Sequence, residues 1–558
     1  MNHLPGPSLT VRVSVVVPVF QPGAGFDELI ASLDRQSLDP SQFEVILCDD
    51  GSGSATLERL ERVAAVRPNV RVLPLPHTGW PGTPRNHGID AASGTYVFFA
   101  DQDDRLFESA LEQLCDYADQ NSSDVVVGKV VGVGRAIPKA IFRRDVSAAA
   151  LGTDPLLELL TPHKLFRTAF LRRNDIRFPD GRVRLEDHLF VMKAYFAART
   201  ISILASVPCY AWIKNEGSAS SSRIDPEAYF PHLESVLDLV EENTEPGPFR
   251  DELLRHWYRG KILKRIGGRR MLRYPADYRE RFLDVVTPIV RARFSPAVEQ
   301  GLTFPLRIRS ALLREGRRDE LLRLAGFEAE LRCEAECMTA RWTRLGKLDL
   351  SVRFRFLREG RDALVFEDAV GTTMDAADSG DAHAAVWRPP ASLAAVLDRE
   401  ALDARRDLRH DRADLFVRDG SGAGRRVRGR LSRGGTAATF TIDPVRMFGR
   451  ADRSPGGPVL VQVRHAGWNF ETPLTAQAGV VADLGRAPLL AGRSVELRRA
   501  PDGTIRLRRH WPRGRAKDAV ARAARFAWAV ARRASRPLRK ANVPRTLRDE
   551  GTGDVGAG

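Results

Sequence analysis

The chain has 558 residues, 43% of them apolar, enough for about three to four domains with packed cores and too many for wholesale disorder. Lys and Arg number 86 against 71 Asp and Glu, giving a net charge of +15. Five scattered cysteines (Cys48, Cys115, Cys209, Cys333, Cys337) exclude a disulfide framework, and with no second Cys/His pair at zinc spacing they read as packing residues of a reducing compartment. No apolar run reaches the roughly 18 residues that span a bilayer, and Met1 to Thr10 lacks the basic start and apolar run of a signal peptide.

The first half alternates strand and helix. Val11 to Phe20 is a β-branched apolar run of the kind buried on both faces of a sheet. Phe26 to Gln36 has helical spacing, and Phe43 to Cys48 is a strand ending at Asp49-Asp50-Gly51-Ser52. Thr56 to Val66 is a helix, Val70 to Leu75 a strand, and Pro84 to Ala92 a helix. Tyr96 to Ala100 is a strand running into Asp101-Gln102-Asp103-Asp104, Phe107 to Ala118 a helix, and Asp124 to Val133 a fifth strand. This order predicts an α/β domain with a mostly parallel sheet and helices on both faces. Ligands of such sheets bind beyond the carboxyl ends of the strands, where both acidic clusters fall.

Residues 226–327 read as a helical linker region, with helices at Phe230 to Leu239, Arg250 to Ile266, Tyr278 to Val290 and Asp319 to Leu324. Residues 328–510 change to a period of two, as in Leu348 to Phe356, Ala438 to Ile442, Val459 to Val463 and Ile505 to Leu507, which predicts a C-terminal β-sandwich region. Residues 511–558 form a basic tail. Between Trp511 and Lys540 stand ten Lys or Arg and one acid, Asp518. At 100° per residue, Ala519, Val520, Ala523, Phe526, Ala527 and Val530 share one side, with Arg522, Arg525, Arg532 and Arg533 opposite and Trp528 at the border. That layout predicts a helix lying on an anionic membrane surface; a solvated tail and a nucleic-acid or polymer contact are the alternatives.

The chain has no G-x-G-x-x-G after the first strand and no G-x-x-x-x-G-K-[ST], which argues against dinucleotide and P-loop folds. Carboxylates at a strand tip accept hydrogen bonds from a nucleoside, although D-D-G-S is also a good turn and helix cap. Three acids crowded at Asp101, Asp103 and Asp104 repel one another unless a cation sits among them, and hard divalent metals share such oxygens with substrate phosphates. Glu186 and Asp187 open a helical pattern after the Phe178-Pro179-Asp180-Gly181 turn, where acids are also favoured by the helix dipole alone.

Four stretches, VSVVVPVF, FEVILCDDGS, TPRNHGIDAASGTYVFFADQDD and KLFRTAFLRRNDIRFPDGRVRLEDHLFV, resemble in content, order and spacing a family 2 glycosyltransferase with the nucleotide-sugar-binding GT-A fold, over residues 1–225. The layout with a helical linker and a β-rich C-terminal region resembles the polyol-phosphate glycosyltransferases that decorate wall teichoic acid. The resemblance implies a nucleotide-diphosphate sugar donor, usually UDP-linked, a Mn²⁺ or Mg²⁺ cofactor, and a cell-envelope polymer or glycan as acceptor. It implies that Pro18 and Val19 line the nucleoside site and that Asp50 and His77 contact base or ribose. Arg85, Asp101 and Gln102 contact the nucleotide sugar, and Asp103, with Asp101, holds the metal. Asp187 is the base that deprotonates the acceptor hydroxyl and Glu186 positions a sugar, so transfer inverts the anomeric centre. Arg135 is a candidate for phosphates. In Trp212 to Arg223, Ser218 and Ser220 would fold over the diphosphate, with Lys214 and Arg223 adding charge; some relatives place a histidine in this loop and this chain has none. The expected location is cytoplasmic, on the inner face of the membrane, with oligomerisation open. Two other readings are a nucleotidyltransferase with a similar metal site, against which Gln21 to Gly25 is short and lacks the basic residues that would hold a triphosphate, and a non-catalytic binder of anionic polymers.

Overall fold

The computed structural model describes residues 11–215, 223–367, 385–417, 426–432, 434–448, 456–482, 484–489 and 493–510. Ser218, Ser220 and the basic tail lie outside the described residues. The chain divides into two compact units, residues 1–330 with 389–402, and residues 331–388 with 403–558.

The first unit is built on β1 (Val13–Val19), α1 (Gly25–Asp34), β2 (Phe43–Asp49), α2 (Ser54–Ala65), β3 (Val70–Pro74), α3 (Gly82–Ala91) and β4 (Tyr96–Phe99). β1 pairs in parallel with β2 and β4, and β3 with β2. Every residue of β4 is buried, as its unbroken apolar run requires of a strand covered on both faces. The sheet continues through β5 (Arg105–Leu106), β6 (Val125–Val133), β7 (Val146–Ala149), β8 (Leu165–Arg167) and β9 (Ile201–Ile213), with α4 (Ala110–Asn121), α5 (Thr168–Arg173) and α6 (Glu186–Ala197) between them.

The mostly parallel expectation holds for β1 to β4 and fails beyond. β8 enters antiparallel between β4 and β6, and β5 and β7 add antiparallel to β9. The sheet is therefore mixed, in the order β3-β2-β1-β4-β8-β6-β9-β5, with β7 on β9. The predicted fifth strand, β6, meets no other predicted strand; its parallel partner is β9. The consequence for function is that β9 and the segment before β8 turn toward the carboxyl ends of β1 to β4.

The same unit continues into helices α7 (Pro226–Glu242), α8 (Pro248–Trp257), α9 (Gly268–Leu272), α10 (Ala276–Arg293), α11 (Pro296–Gln300), α12 (Phe304–Glu315) and α13 (Arg318–Glu330). The expected single helix from Arg250 to Ile266 is α8 followed by a π-turn, Tyr258–Leu263. α7 packs on α6, so the helical region shares a core with the sheet domain through Phe230, Leu233 and Val236.

The second unit is strand-rich, beginning with β10 (Arg332–Trp342) and β11 (Leu348–Arg358). β11 alternates, with Leu348, Leu350, Val352, Phe354 and Phe356 buried, as a half-covered strand must. Strands Ala437–Ile442, Gly456–His465 and Ile505–His510 lie at the predicted places. Cys333 and Cys337 point inward from β10 as buried free thiols.

Candidate functional site

The four parallel strands deliver their loops to one edge. There a cavity of about 530 Å³ is lined by Pro18, Val19, Asp50, His77, Arg85, Asp101, Gln102, Asp103, Arg135, Glu186 and Asp187. Of the described residues that the sequence reading put at the site, Lys214 and Arg223 are outside that lining, and Arg223 lines a second cavity instead. Asp103 and Asp187, 84 positions apart in sequence, face one space.

The nucleoside end is a set of stitched loops. Gln102 donates to the Phe20 carbonyl (3.0 Å) and accepts from the Phe20 N–H (2.9 Å), tying the exit of β1 to the exit of β4. The Phe20 ring thereby stacks on His77, with centroids 4.6 Å apart. Asp50 is buried and accepts from the Thr78 N–H (2.8 Å) and hydroxyl (2.6 Å) and from the Gly79 N–H (2.9 Å). It holds the 77–79 loop, a structural duty that sequence reasoning did not assign. Gly51 (φ +67°) lies so close that a Cβ would stand 2.7 Å from the His77 nitrogen.

The acidic loop divides its acids between different partners. Asp101 accepts from Arg85 (2.9 Å) and pairs with His163 Nε2 (3.0 Å). Burial raises its carboxyl, but His163 and Arg85 outweigh burial and hold it below the usual range. Asp104 accepts from the Tyr210 hydroxyl (2.7 Å) and the Ile213 N–H (2.7 Å), and burial together with the Asp101 charge pushes its carboxyl up to about 7. Tyr210 also accepts from the Asp101 N–H (2.9 Å), so β9 fixes the loop at two points. Asp103 accepts from Asn215; burial and Asp101 raise its carboxyl.

The tightest group of potential ligand atoms is Asp101, Asp104 and His163, all within 4.8 Å of one another. Asp103, ranked first from the sequence, stands outside that group and accepts from Asn215 instead. Carboxylate oxygens suit Mg²⁺ or Mn²⁺, and an added imidazole favours Mn²⁺ of the two. Among the described residues, the buried His163 Nδ1 has no hydrogen-bond partner. His163 Nε2 faces Asp101, so two carboxylates and one imidazole converge in a donor set that fits a divalent cation. Asp104 was among the crowded acids of the sequence reading, whereas His163, Tyr210, Trp80 and Asn215 were missed; for His163 the one sequence signal was the Lys164-Leu165-Phe166 stretch that follows it.

Glu186 and Asp187 begin α6 directly after Leu185, whose left-handed backbone (φ 62°, ψ 26°) turns the chain into the cavity. Such a conformation costs a non-glycine residue of the order of 1 kcal/mol. Burial, then the Asp187 charge, pushes the Glu186 carboxyl up to about 7. Burial also raises Asp187, opposed by Lys261, Arg85 and Lys164. Arg85 lies 3.8 Å from Glu186 while bonding Asp101, linking the two acidic groups. Arg135 sits 3.7 Å over the Trp212 ring, which fixes its guanidinium on the cavity wall.

A second cavity, about 750 Å³, shares Trp80, Glu186 and Asp187 with the first. Its walls carry Arg184, Arg223, Lys261, Arg265, Arg270 and Arg273, the last four from the helical region.

Residues 14–180 match the family described as Glycosyl transferase family 2. Residues 226–325 match the Glycosyl transferase TarS linker domain. Poly(ribitol-phosphate) beta-N-acetylglucosaminyltransferase TarS of Staphylococcus aureus (strain Mu50 / ATCC 700699) is 35% identical over 248 residues, 44% of this chain and 43% of that protein. Poly(ribitol-phosphate) beta-glucosyltransferase of Bacillus spizizenii is 31% identical over 233 residues, 41% of this chain and 37% of that protein. These matches span less than half the length of either relative. The crystal structure of S. aureus TarS 1–349 with UDP-GlcNAc superposes with a TM-score of 0.51 at 26% identity, covering 63% of this chain and 98% of that one. The crystal structure of S. aureus TarS superposes at a TM-score of 0.53 with 18% identity, over 90% of this chain and 85% of that one, a likeness of fold.

Proposed function

We propose that the chain is an inverting glycosyltransferase that moves a sugar from a UDP-linked donor to a hydroxyl of a polyol-phosphate polymer of the cell envelope. One observation carries this reading: the Glu186–Asp187 pair lies where two cavities of opposite character meet. On one side, the acids at Asp101, Asp103 and Asp104, with Arg85, suit a nucleotide diphosphate and its cation. On the other, Arg184, Arg223, Arg265, Arg270 and Arg273 suit an acceptor that carries phosphates.

In this reading the first cavity binds the nucleoside between Pro18, Val19 and the Phe20–His77 stack. Asp187 takes the proton of the acceptor hydroxyl as its oxygen attacks the anomeric carbon. The bond from that carbon to the diphosphate breaks on the opposite face, releasing UDP and inverting configuration. Glu186, held by Arg85, orients a sugar hydroxyl. Asp101, Asp104 and His163, with Asp103, would hold a divalent cation, whose chemistry when bound is to offset charge on the departing diphosphate. Arg135 and Arg85 add positive charge to that end. Ser218 and Ser220 remain proposed diphosphate contacts. The tail pattern supports work at an anionic membrane surface on the cytoplasmic side. Among the described residues, no helix is long and apolar enough to cross a membrane.

Both named relatives act on poly(ribitol-phosphate), which supports this acceptor class. The test is to incubate the full chain with a panel of UDP-sugars, Mn²⁺ or Mg²⁺, and a polyol-phosphate oligomer. UDP release with addition of one sugar mass to the oligomer is expected. Pyrophosphate release, or tight polymer binding without turnover, would replace the reading.

A further inference from the structure

Trp257 ends α8, is fully buried, and donates its indole N–H to His188 Nδ1 at 3.1 Å. On the other side of that ring, His188 Nε2 stands 3.3 Å from Lys261 Nζ. His188 follows Asp187 directly and donates its backbone N–H to the Asp187 carboxylate at 2.9 Å. Lys261 rides on the π-turn Tyr258–Leu263, an irregularity that helices keep mostly at functional sites.

The direction of this chain follows from what each group can donate. An indole nitrogen only donates, so His188 Nδ1 must offer its lone pair. A neutral imidazole with its lone pair on Nδ1 carries its hydrogen on Nε2. That hydrogen points at Lys261, and an ammonium group has nothing to accept it with, whereas an amine does. A doubly protonated His188 would set two donors against each other at Trp257. Burial, with Lys261 and Lys164 nearby, also disfavours it. We propose that the one-way chain Trp257 to His188 to Lys261 holds the Lys261 amine neutral beside the base Asp187, so that the helical region governs when the base is charged.

The three are positioning residues, and the inference rests on Asp187 being the base. The surroundings agree. Burial lowers Lys261, with Asp187 opposing and Arg265 assisting. Were Lys261 an ammonium, it would lower Asp187 more than Arg85 or Lys164 does, so its protonation state decides the base's. Lys164 is committed elsewhere, to the carbonyls of Leu159 (2.9 Å) and Thr161. Burial first, then His188, Arg259, Lys261 and Lys264, lower half-buried His256 on α8 to about 3, so it brings no charge. Glu186, on the same helix as the base, is the remaining acid; burial and the Asp187 charge raise its own carboxyl.

The test uses the full chain. ¹⁵N imidazole NMR should show His188 as the Nε2–H tautomer at neutral pH. Trp257→Phe frees Nδ1, lets Nε2 accept from a Lys261 ammonium, and so lowers the proton affinity of Asp187. The acidic limb of kcat/KM then moves down by about one pH unit, a roughly tenfold gain on that limb. In a Lys261→Met background the same Trp257→Phe change should move nothing. Tyr258→Phe, which breaks the neighbouring buried contact with Ser310, should alter stability and leave the limb in place. A His188 found as Nδ1–H or as imidazolium overturns the proposal. So does an unmoved limb in Trp257→Phe when its His188 tautomer has changed. If the unaltered chain transfers no sugar, the functional reading fails instead, and the NMR still reports on the chain of hydrogen bonds.

Discussion

Asp187 loses its water to burial before it meets any substrate, and its proton affinity rises accordingly. Asp187→Asn keeps the shape and removes the basic oxygen. The expected result is a fall in kcat of about 10²- to 10⁴-fold with UDP-sugar affinity by calorimetry unchanged. Comparable loss of donor affinity would place Asp187 in donor binding instead. Glu186 makes a second prediction, with opposite signs for activity and stability. Its carboxyl, pushed up to about 7, holds a proton in the fold that the unfolded chain releases nearer 4.5. The folded state therefore binds more protons between those values, and stability from this group falls as pH rises through them. Activity moves the other way, because acids of this pair must ionise to work. Urea melts at pH 5 and pH 8 of the chain and of Glu186→Gln measure this, and the variant should lose less stability across that window, by the order of 1–3 kcal/mol. The acids at the strand tips were legible because buried apolar runs aim at them. His163 was not, because it stands between short elements with no periodicity to place it.

At the scale of elements, β9 anchors the acidic loop without belonging to the parallel core. The sequence does not advertise it: Ile201 to Ile213 contains Pro208, which argues against a central strand, and the pairing with β6 slips at Lys129, opposite that proline. β5, β7 and β8 are two to four residues long, too short to show a period. Tyr210→Phe removes the hydroxyl that joins Asp101 and Asp104. A loss of about 1–3 kcal/mol in stability and weaker binding of Mn²⁺ and UDP-sugar are expected, read by thermal melts and titration calorimetry. Gly51→Ala combines a left-handed backbone with a Cβ at 2.7 Å from His77, so the 77–79 loop must move. Weaker UDP binding with an intact helical region by hydrogen exchange is the expected pattern.

For the whole molecule, the division into a sheet-and-helix unit and a strand-rich unit was readable from the change of period near residue 330. The fusion of the helical region with the sheet into one unit was not, since α7 and α6 carry no mark of their partners in sequence. The tail is the part argued from pattern alone. Removing residues 511–558 should leave transfer to a soluble oligomer intact and weaken co-sedimentation with vesicles rich in anionic lipid by tenfold or more at low salt. Equal sedimentation of both forms would remove the membrane from the account.

Arg85 touches both acidic groups, 2.9 Å from Asp101 and 3.8 Å from Glu186. A single guanidinium shared in this way makes the two halves of the site thermodynamically reciprocal. Whatever draws it toward the strand-tip aspartate loosens the helix-tip glutamate, and an equal free energy returns when events run in reverse order. The order in which donor and acceptor arrive thus affects the path taken and leaves the sum unchanged.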